Sequence, residues 1–465
     1  MALVTQQLTL AYDQTVIIDN LDFSLSVGEF TLLMGPSGSG KSTLLKAMAG
    51  LYPQFGGQVN GQITLDQVSV SQLPANQRAE KVALLFQHPD EQFAMPTVSE
   101  ELIFALENLA LPAEEIDRRI TWALDKVGMA DFYHRSFITL SGGELQKIAL
   151  VETLALGAKY LLLDEPFAAV DTKARAELQL LLKELVQEGY AILVSDHDAQ
   201  GYLPLITNLY QLKDRQLVWQ EPKQWENFAW QSQSYHLAKP QVSAELFTFN
   251  AFNLSSGGQG LLENYQGQIA ANAVSLITGP NGVGKSTLLK ALAKLQPYQG
   301  ELFYQQQLVS KIARKKYFKQ VALVFQNARE QFLTITVQEE IKQVLAHSNQ
   351  KNYWTQERVD QVLTTLQLDN HRGQSVYVLS GGQQKKLQVL LMLIMSPNVL
   401  LLDEPLAGLD VKSAQILVSL IDTVQKDCHL SLVIISHQIQ PLVPILDYHL
   451  VFTPGQLNDS QEVRS

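Results

Sequence analysis

Gly35-Pro36-Ser37-Gly38-Ser39-Gly40-Lys41-Ser42-Thr43 returns later in the chain as Gly279-Pro280-Asn281-Gly282-Val283-Gly284-Lys285-Ser286-Thr287. Each stretch follows an apolar run that reads as a buried strand, Phe30–Met34 or Val274–Thr278, and opens a helical pattern, the context required of a phosphate-binding loop. Glycines let backbone N–H groups turn onto phosphate oxygens, and the helix N-terminus adds its dipole. Lys41 and Lys285 reach the β- and γ-phosphates of a nucleotide, and Ser42 and Ser286 offer an oxygen to Mg²⁺. Chance places the fixed residues at about 10⁻⁵ of positions, so two occurrences are not accidental. A plain glycine turn before a helix has no use for the lysine.

The repetition extends outward from these loops. LLFQHPDEQF (84–93) recurs as LVFQNAREQF (323–332), TLSGGE (139–144) as VLSGGQ (378–383), and LLLDEPFAAVD (161–171) as LLLDEPLAGLD (400–410). The loops are offset by 244 residues (279 against 35) and the other pairs by 239 (326 against 87, 380 against 141, 403 against 164). One domain has been duplicated, and the second copy is about five residues shorter near the segment that is Gln54 to Gly61 in the first. The expected organisation is domain 1 over 1–225, a linker over 226–242 and domain 2 over 243–465. Trp219, Trp225, Phe228, Trp230 and Tyr235 around that linker lack the basic neighbours of a base-stacking surface, which predicts packing onto the first copy.

Composition narrows the class. A chain of 465 residues is roughly twice a common domain. Its net charge of −11 argues against a surface that grips nucleic acid or anionic lipid. A single cysteine, Cys428, excludes an internal disulfide and fits a reducing compartment. The first residues carry no basic region followed by an apolar run, so no signal peptide is expected. The longest apolar stretch, Val389 to Met395, falls far short of the ~20 residues needed to span a bilayer and predicts a buried core helix. Further strands are expected at Val82–Phe86, Tyr160–Asp164 and Ala191–Ser195, and again at Val321–Phe325, Val399–Asp403 and Leu432–Ser436. Helical stretches at Val98–Leu109 and Ala113–Val127 form an insertion in an otherwise α/β pattern.

Two further elements carry chemistry. Leu161-Leu162-Leu163-Asp164-Glu165 and Leu400-Leu401-Leu402-Asp403-Glu404 are apolar strands ending in two acids, of which the first can hold Mg²⁺ and the second polarise an attacking water. Ser141-Gly142-Gly143-Glu144 and Ser380-Gly381-Gly382-Gln383 each crown a helix N-terminus that favours an anion. With Ser-Gly-Gly about 100 residues after the glycine loop and about 20 before the acids, in both copies, the chain resembles the ATP-binding cassette ATPases.

The resemblance implies a fold of tandem P-loop domains, each with a mixed or parallel sheet core, a small antiparallel β subdomain and a helical subdomain. It implies ATP hydrolysis with Mg²⁺ held by Ser42, Gln87 and Asp164 in one copy and by Ser286, Gln326 and Asp403 in the other. Glu165 and Glu404 take the place of the catalytic base, Gln87 and Gln326 that of the Q-loop glutamine, His197 and His437 that of the switch histidine, and Asp171 and Asp410 that of the D-loop aspartate. In such proteins two cassettes face head to tail. Site one then joins Lys41, Asp164 and Glu165 to Ser380 and Gly382, and site two joins Lys285, Asp403 and Glu404 to Ser141 and Gly143. Tyr12 matches the aromatic that stacks on adenine; the second copy has Ser256 there, which implies weaker adenine binding or a borrowed ring such as Phe252. Glu144 replaces the usual signature glutamine and is expected to leave the Ser-Gly-Gly donors intact.

Gln87-His88-Pro89-Asp90-Glu91-Gln92 and Phe104-Ala105-Leu106-Glu107-Asn108 further resemble signatures of the energy-coupling factor transporters, importers of vitamins and metals. That implies a peripheral protein on the cytoplasmic face of the cell membrane, partnered by a transmembrane coupling protein and a substrate-binding membrane protein. Asp90, Glu91 and Glu330 either meet basic coupling helices of that partner or are solvated loop charges. The alternative is a soluble twin-cassette ATPase acting on the ribosome or in regulation. A short, nearly neutral linker and the absence of room for a coiled coil speak against translation-type and chromosome-type cassettes.

Overall fold

Val82–Leu85, Tyr160–Asp164, Ala191–Ser195 and Phe30–Met34 lie parallel in that order, followed by Asn208–Lys213 and the antiparallel edge strand Gln216–Trp219. The computed structural model describes residues 2–12, 15–36, 38–52, 57–87, 89, 92–167, 170, 172–228, 234–237 and 244–464. It divides into two units, Met1–Trp230 and Gln231–Ser465. The second repeats the sheet as Val321–Val324, Val399–Asp403, Ser431–Ile435, Val274–Thr278, Tyr448–Thr453 and Gln456–Ser460. Every expected strand is present, with ends differing by a residue.

These strands are apolar throughout because both faces are covered. In the first unit Leu32, Leu161, Leu163, Ile192 and Val194 face the helices Val98–Glu107, Ala113–Val127 and Gly142–Ala155. Their neighbours Leu33, Leu162 and Leu193 face the helix Lys41–Met48 and an antiparallel sheet that contributes Leu3, Leu8 and Leu10. Truncating one of these, such as Leu162→Ala, removes ~2–5 kcal/mol. The helical insertion is written locally: Thr97 accepts the Glu100 N–H at the start of one helix, and Gly128, at φ 72°, ends the next.

The antiparallel sheet runs Thr15–Ser26, Ala2–Tyr12, Gln58–Leu65, Val68–Ser69, and in the second unit Gln259–Ala270, Glu245–Ser256, Gln299–Tyr304, Gln307–Leu308. Tyr12 pairs with Thr15 and Ser256 with Gln259, so both end the same hairpin strand. Val389–Met395 lies in the buried helix Gly381–Met395. Among the described residues no helix is long and apolar enough to cross a membrane.

The linker aromatics do not all pack on the first copy. Trp225 and Phe228 join the first unit's core, with the Trp225 indole N–H donating to the Gln220 carbonyl at 2.8 Å. Tyr235 and Leu237 instead pack on the core of the second. Ser234–His236 pairs there with Glu462–Arg464, so backbone hydrogen bonding claims Tyr235 for the second unit; Trp230 lies outside the described residues.

Candidate active site

Both glycine loops join a central strand to a helix. Gly40 and Gly284 sit at φ 105° and 109°, where a Cβ would lie 2.6 Å from Ile17 and 2.8 Å from Leu261. Only glycine meets both demands. Gly279 has no room either, because a Cβ would stand 2.2 Å from the Phe452 carbonyl oxygen. Lys41 Nζ donates to the carbonyls of Gly35 (2.8 Å) and Pro36 (3.2 Å), and Lys285 Nζ to those of Gly279 (2.7 Å) and Pro280 (2.8 Å). Each ammonium is buried across the mouth of its own loop. Ser37 lies outside the described residues.

The acid pairs end the strands beside these loops. Glu165 and Glu404 both adopt left-handed backbone, φ 46° and 51°, with their N–H groups bonded to the carbonyls of Ser195 and Ile435 at 2.9 Å. Such a conformation costs on the order of 1–3 kcal/mol and is held by the sheet around it. Asp164 accepts a bond from the Ser195 hydroxyl, and Asp403 one from the Ser286 hydroxyl. Burial pushes the Glu165 carboxyl above the ordinary range against the pull of His197 and Lys41. Burial also raises Glu404 to about 7 and Asp403 to about 6.

Mg²⁺ fits the second copy on its own terms. Asp403 Oδ1 is buried with no hydrogen-bond partner while the Ser286 hydroxyl binds the same carboxylate. That is an oxygen donor pair suited to a hard cation, with phosphate and water completing the shell. Among the described residues no group of three His, Cys, Asp or Glu forms a closed metal cage.

The two copies wire the remaining residues differently. In the first, Gln87 Nε2 donates to Glu165 Oε2 at 2.9 Å, and His197 Nδ1 lies 3.8 Å from that oxygen and 3.4 Å from Asp196 Oδ1. Asp196 is itself held by Arg175 (3.3 Å), the Tyr202 hydroxyl (3.1 Å) and the His197 N–H (2.7 Å). In the second, the His437 N–H donates to Glu404 Oε2 at 3.1 Å, and Nε2 lies 2.9 Å from Asn281 Oδ1 of the loop. Gln326 is exposed and holds Lys385 Nζ on its carbonyl at 2.7 Å.

Ser141 and Ser380 cap their helices in reciprocal capping boxes. Here the expectation that Glu144 leaves the donors intact fails for the hydroxyl. Ser141 Oγ donates to Glu144 Oε2 at 2.7 Å, a bond to a carboxylate, whereas Gln383 presents a neutral amide oxygen that takes only the Ser380 N–H (2.9 Å). Phe252 also departs from expectation. It is fully buried against Phe249 and Tyr298 and serves as core, while Ser256 is exposed. Tyr12 stands edge-on to Tyr52 with ring centroids 5.8 Å apart. Asp410 caps the helix Val411–Cys428 through the Ser413 N–H (2.9 Å); Asp171, Asp90 and Glu91 lie outside the described residues, and Glu330 is exposed.

Asp196, Arg175, Tyr202, Tyr52 and Lys385 were not singled out by sequence reasoning. Setting the copies side by side would have flagged two of them, since Asp196 faces Ser436 and Lys385 faces Gln146 at the repeat offsets.

The sequence model of the ABC transporter family matches residues 18–168 and 262–407, covering both glycine loops, both Ser-Gly-Gly segments and both acid pairs. The chain belongs to the ABC transporter family. As an ABC ATPase it has named relatives along nearly its whole length. A Bacillus subtilis (strain 168) protein with the provisional name HMP/thiamine import ATP-binding protein YkoD is 29% identical over 97% of this chain and 89% of the relative. A Streptococcus mutans protein provisionally named an ABC transporter ATP-binding protein is 28% identical over 95% of this chain and 87% of its own length. Among solved structures, an RNase-L inhibitor aligns with a TM-score of 0.63 at 19% identity over 96% of this chain and 88% of that one. Ribosome-bound ABCE1, in a complex with archaeal Pelota, aligns at 0.70 and 19% over 97% and 78%. At that identity the likeness is one of fold.

Proposed function

We propose that this twin-cassette ATPase is the energy-coupling subunit of a membrane importer of the energy-coupling factor type, bound at the cytoplasmic face of the cell membrane, where it drives uptake of a vitamin or metal through a separate permease. The observation that carries the reading is the match, over 97% of the chain, to a relative provisionally named for HMP/thiamine import. The run from Gln87 to Gln92 supports it. The partners are a transmembrane coupling protein and a substrate-binding membrane protein.

The family resemblance implies that each cassette completes the ATP site of the other, Lys41, Asp164 and Glu165 with Ser380 and Gly382, and Lys285, Asp403 and Glu404 with Ser141 and Gly143. The lysines neutralise phosphate charge and the signature serines and glycines donate to it from the opposite side. Glu165 and Glu404 take the proton of the attacking water, and His197 and His437 steady the transferred phosphoryl group. Mg²⁺, held through Ser42, Gln87 and Asp164 or Ser286, Gln326 and Asp403, supplies charge neutralisation between phosphates. The linker keeps each half at high effective concentration around the other.

Purification of the tagged chain from detergent-solubilised membranes tests this reading. Recovery of membrane subunits is the expected result. Pelleting with ribosomes, or recovery of the chain alone, contradicts it, and the ribosomal outcome would favour a translation or regulatory ATPase.

A further inference from the structure

Lys385 is a buried charge on the second signature helix that the first lacks at the same position. It stands five residues after Ser380, where the first copy has Gln146, and it is buried, with 4% of its surface exposed. Its ammonium donates to the carbonyls of Gln326 (2.7 Å) and Phe325 (3.3 Å), the residues at which the strand Val321–Val324 turns into the Q-loop. Gln388, one turn further along the helix, adds a bond to the Phe325 carbonyl at 3.0 Å. Burial lowers its pKa to about 8 against the pull of Glu404 and Asp403. A buried ammonium is costly unless it is hydrogen-bonded, and the two carbonyls supply those bonds.

In the first copy the same position does something else. Gln146 Nε2 makes a long 3.4 Å bond to the Glu165 carbonyl and carries no charge. The Q-loop there is tied instead through Gln92, which donates to the buried Glu152 carboxyl at 3.0 Å; at the repeat offset Glu152 faces Leu391.

We infer that Lys385 is a positioning residue for the second cassette's chemistry: it clamps the backbone of the Q-loop at Gln326 to the signature helix. The inference rests on the reading of Lys285, Asp403 and Glu404 as a working hydrolytic site. A hydrogen bond to an ionised donor is about twice as strong as a neutral one, so the clamp is stiffer than its counterpart in the first copy. The Gln326 backbone is thereby fixed to the signature helix while its side chain stays exposed.

The test uses the full-length chain carrying Glu165→Gln, so that turnover reports the second cassette, with Lys385→Gln and Lys385→Arg added separately. Lys385→Gln is expected to lower kcat about tenfold with the ATP dissociation constant within twofold. Amide hydrogen exchange over residues 325–332 should quicken while that of the helix Val411–Cys428 stays the same. Lys385→Arg, which keeps the charge, should restore at least half of the turnover and the slow exchange. Lys385→Gln installs the side chain that the first copy already carries in the same helix, and thermal unfolding verifies that the variant is folded. Unchanged kcat and exchange in Lys385→Gln, or an Arg variant no better than Gln, would overturn the inference. Should the Glu165→Gln parent show no turnover sensitive to Glu404→Gln, the reading of the second site fails instead, and hydrogen exchange alone decides whether Lys385 clamps the loop.

Discussion

The two cassettes share a fold and every phosphate-facing motif, yet they hold their reacting groups by different means. In the first, a carboxylate with its own Arg175 and Tyr202 partners stands beside the switch histidine, and His197 keeps only 8% of its side chain exposed. In the second, His437 is 30% exposed and leans on Asn281 of its own loop, while Lys385 supplies charge from the signature helix. Duplication kept the glycine loops, the Ser-Gly-Gly segments and the acid pairs and let the supports diverge. The same holds for the cap. Glu144 draws the Ser141 hydroxyl to itself and places a carboxylate where an anion is to bind, and Gln383 does neither. On the proposed composite arrangement, the second site is the one that would combine the altered Ser141 cap with the loss of the Tyr12 ring.

The strongest way to break the comparison is to remove the base from both halves. Glu165→Gln together with Glu404→Gln should lower ATP turnover by at least 100-fold while leaving ATP binding in place, the range expected for loss of a general base. Turnover unchanged in the double variant would remove both residues from the chemistry.

A smaller effect is expected at the adenine. Tyr12→Ala should weaken ATP binding at the first site about fivefold to tenfold, in line with ~1–3 kcal/mol for stacking a base on an aromatic ring. Equilibrium binding of a fluorescent ATP analogue measures it, and an unaltered dissociation constant would make Tyr12 a partner of Tyr52 and nothing more.

The smallest is a pH effect on stability. Burial raises Glu404 from 4.5 to about 7, so the folded chain binds that proton more tightly than the unfolded chain does. The stabilisation from this proton is complete below pH 4.5 and is lost as pH rises through about 7, a change of ~3 kcal/mol. Glu404→Gln, neutral at every pH, should therefore gain in melting temperature over the parent by about 5 °C between pH 4.5 and pH 8 without nucleotide. A constant difference across that range would show that Glu404 is not held protonated.

Much of this was legible in the chain because it rests on local rules. Leu161 to Leu163 and Leu400 to Leu402 announce strands buried on both faces, and a glycine loop followed by lysine and serine has one common use. The supports were not legible, because they depend on which side chains meet across elements. Phe252 was a fair substitute ring by its position near Ser256, but strand alternation turns it inward onto Tyr298. Glu144 was a conservative change on paper. Its extra oxygen charge redirects the Ser141 hydroxyl, and only the capping geometry shows it. Lys385 carries no local sequence signal, because its role depends on where its ammonium meets the Gln326 carbonyl across elements.

One chain is expected to carry two ATP sites of unequal strength, the stronger on Lys41. Equilibrium ATP titration of the chain carrying Glu165→Gln and Glu404→Gln, alone and with Lys41→Ala or Lys285→Ala, measures this. Two bound ATP per chain in two affinity classes severalfold apart are expected, with Lys41→Ala abolishing the tighter and Lys285→Ala the weaker. A single affinity class of two sites, or loss of the tighter class with Lys285→Ala, would contradict that expectation.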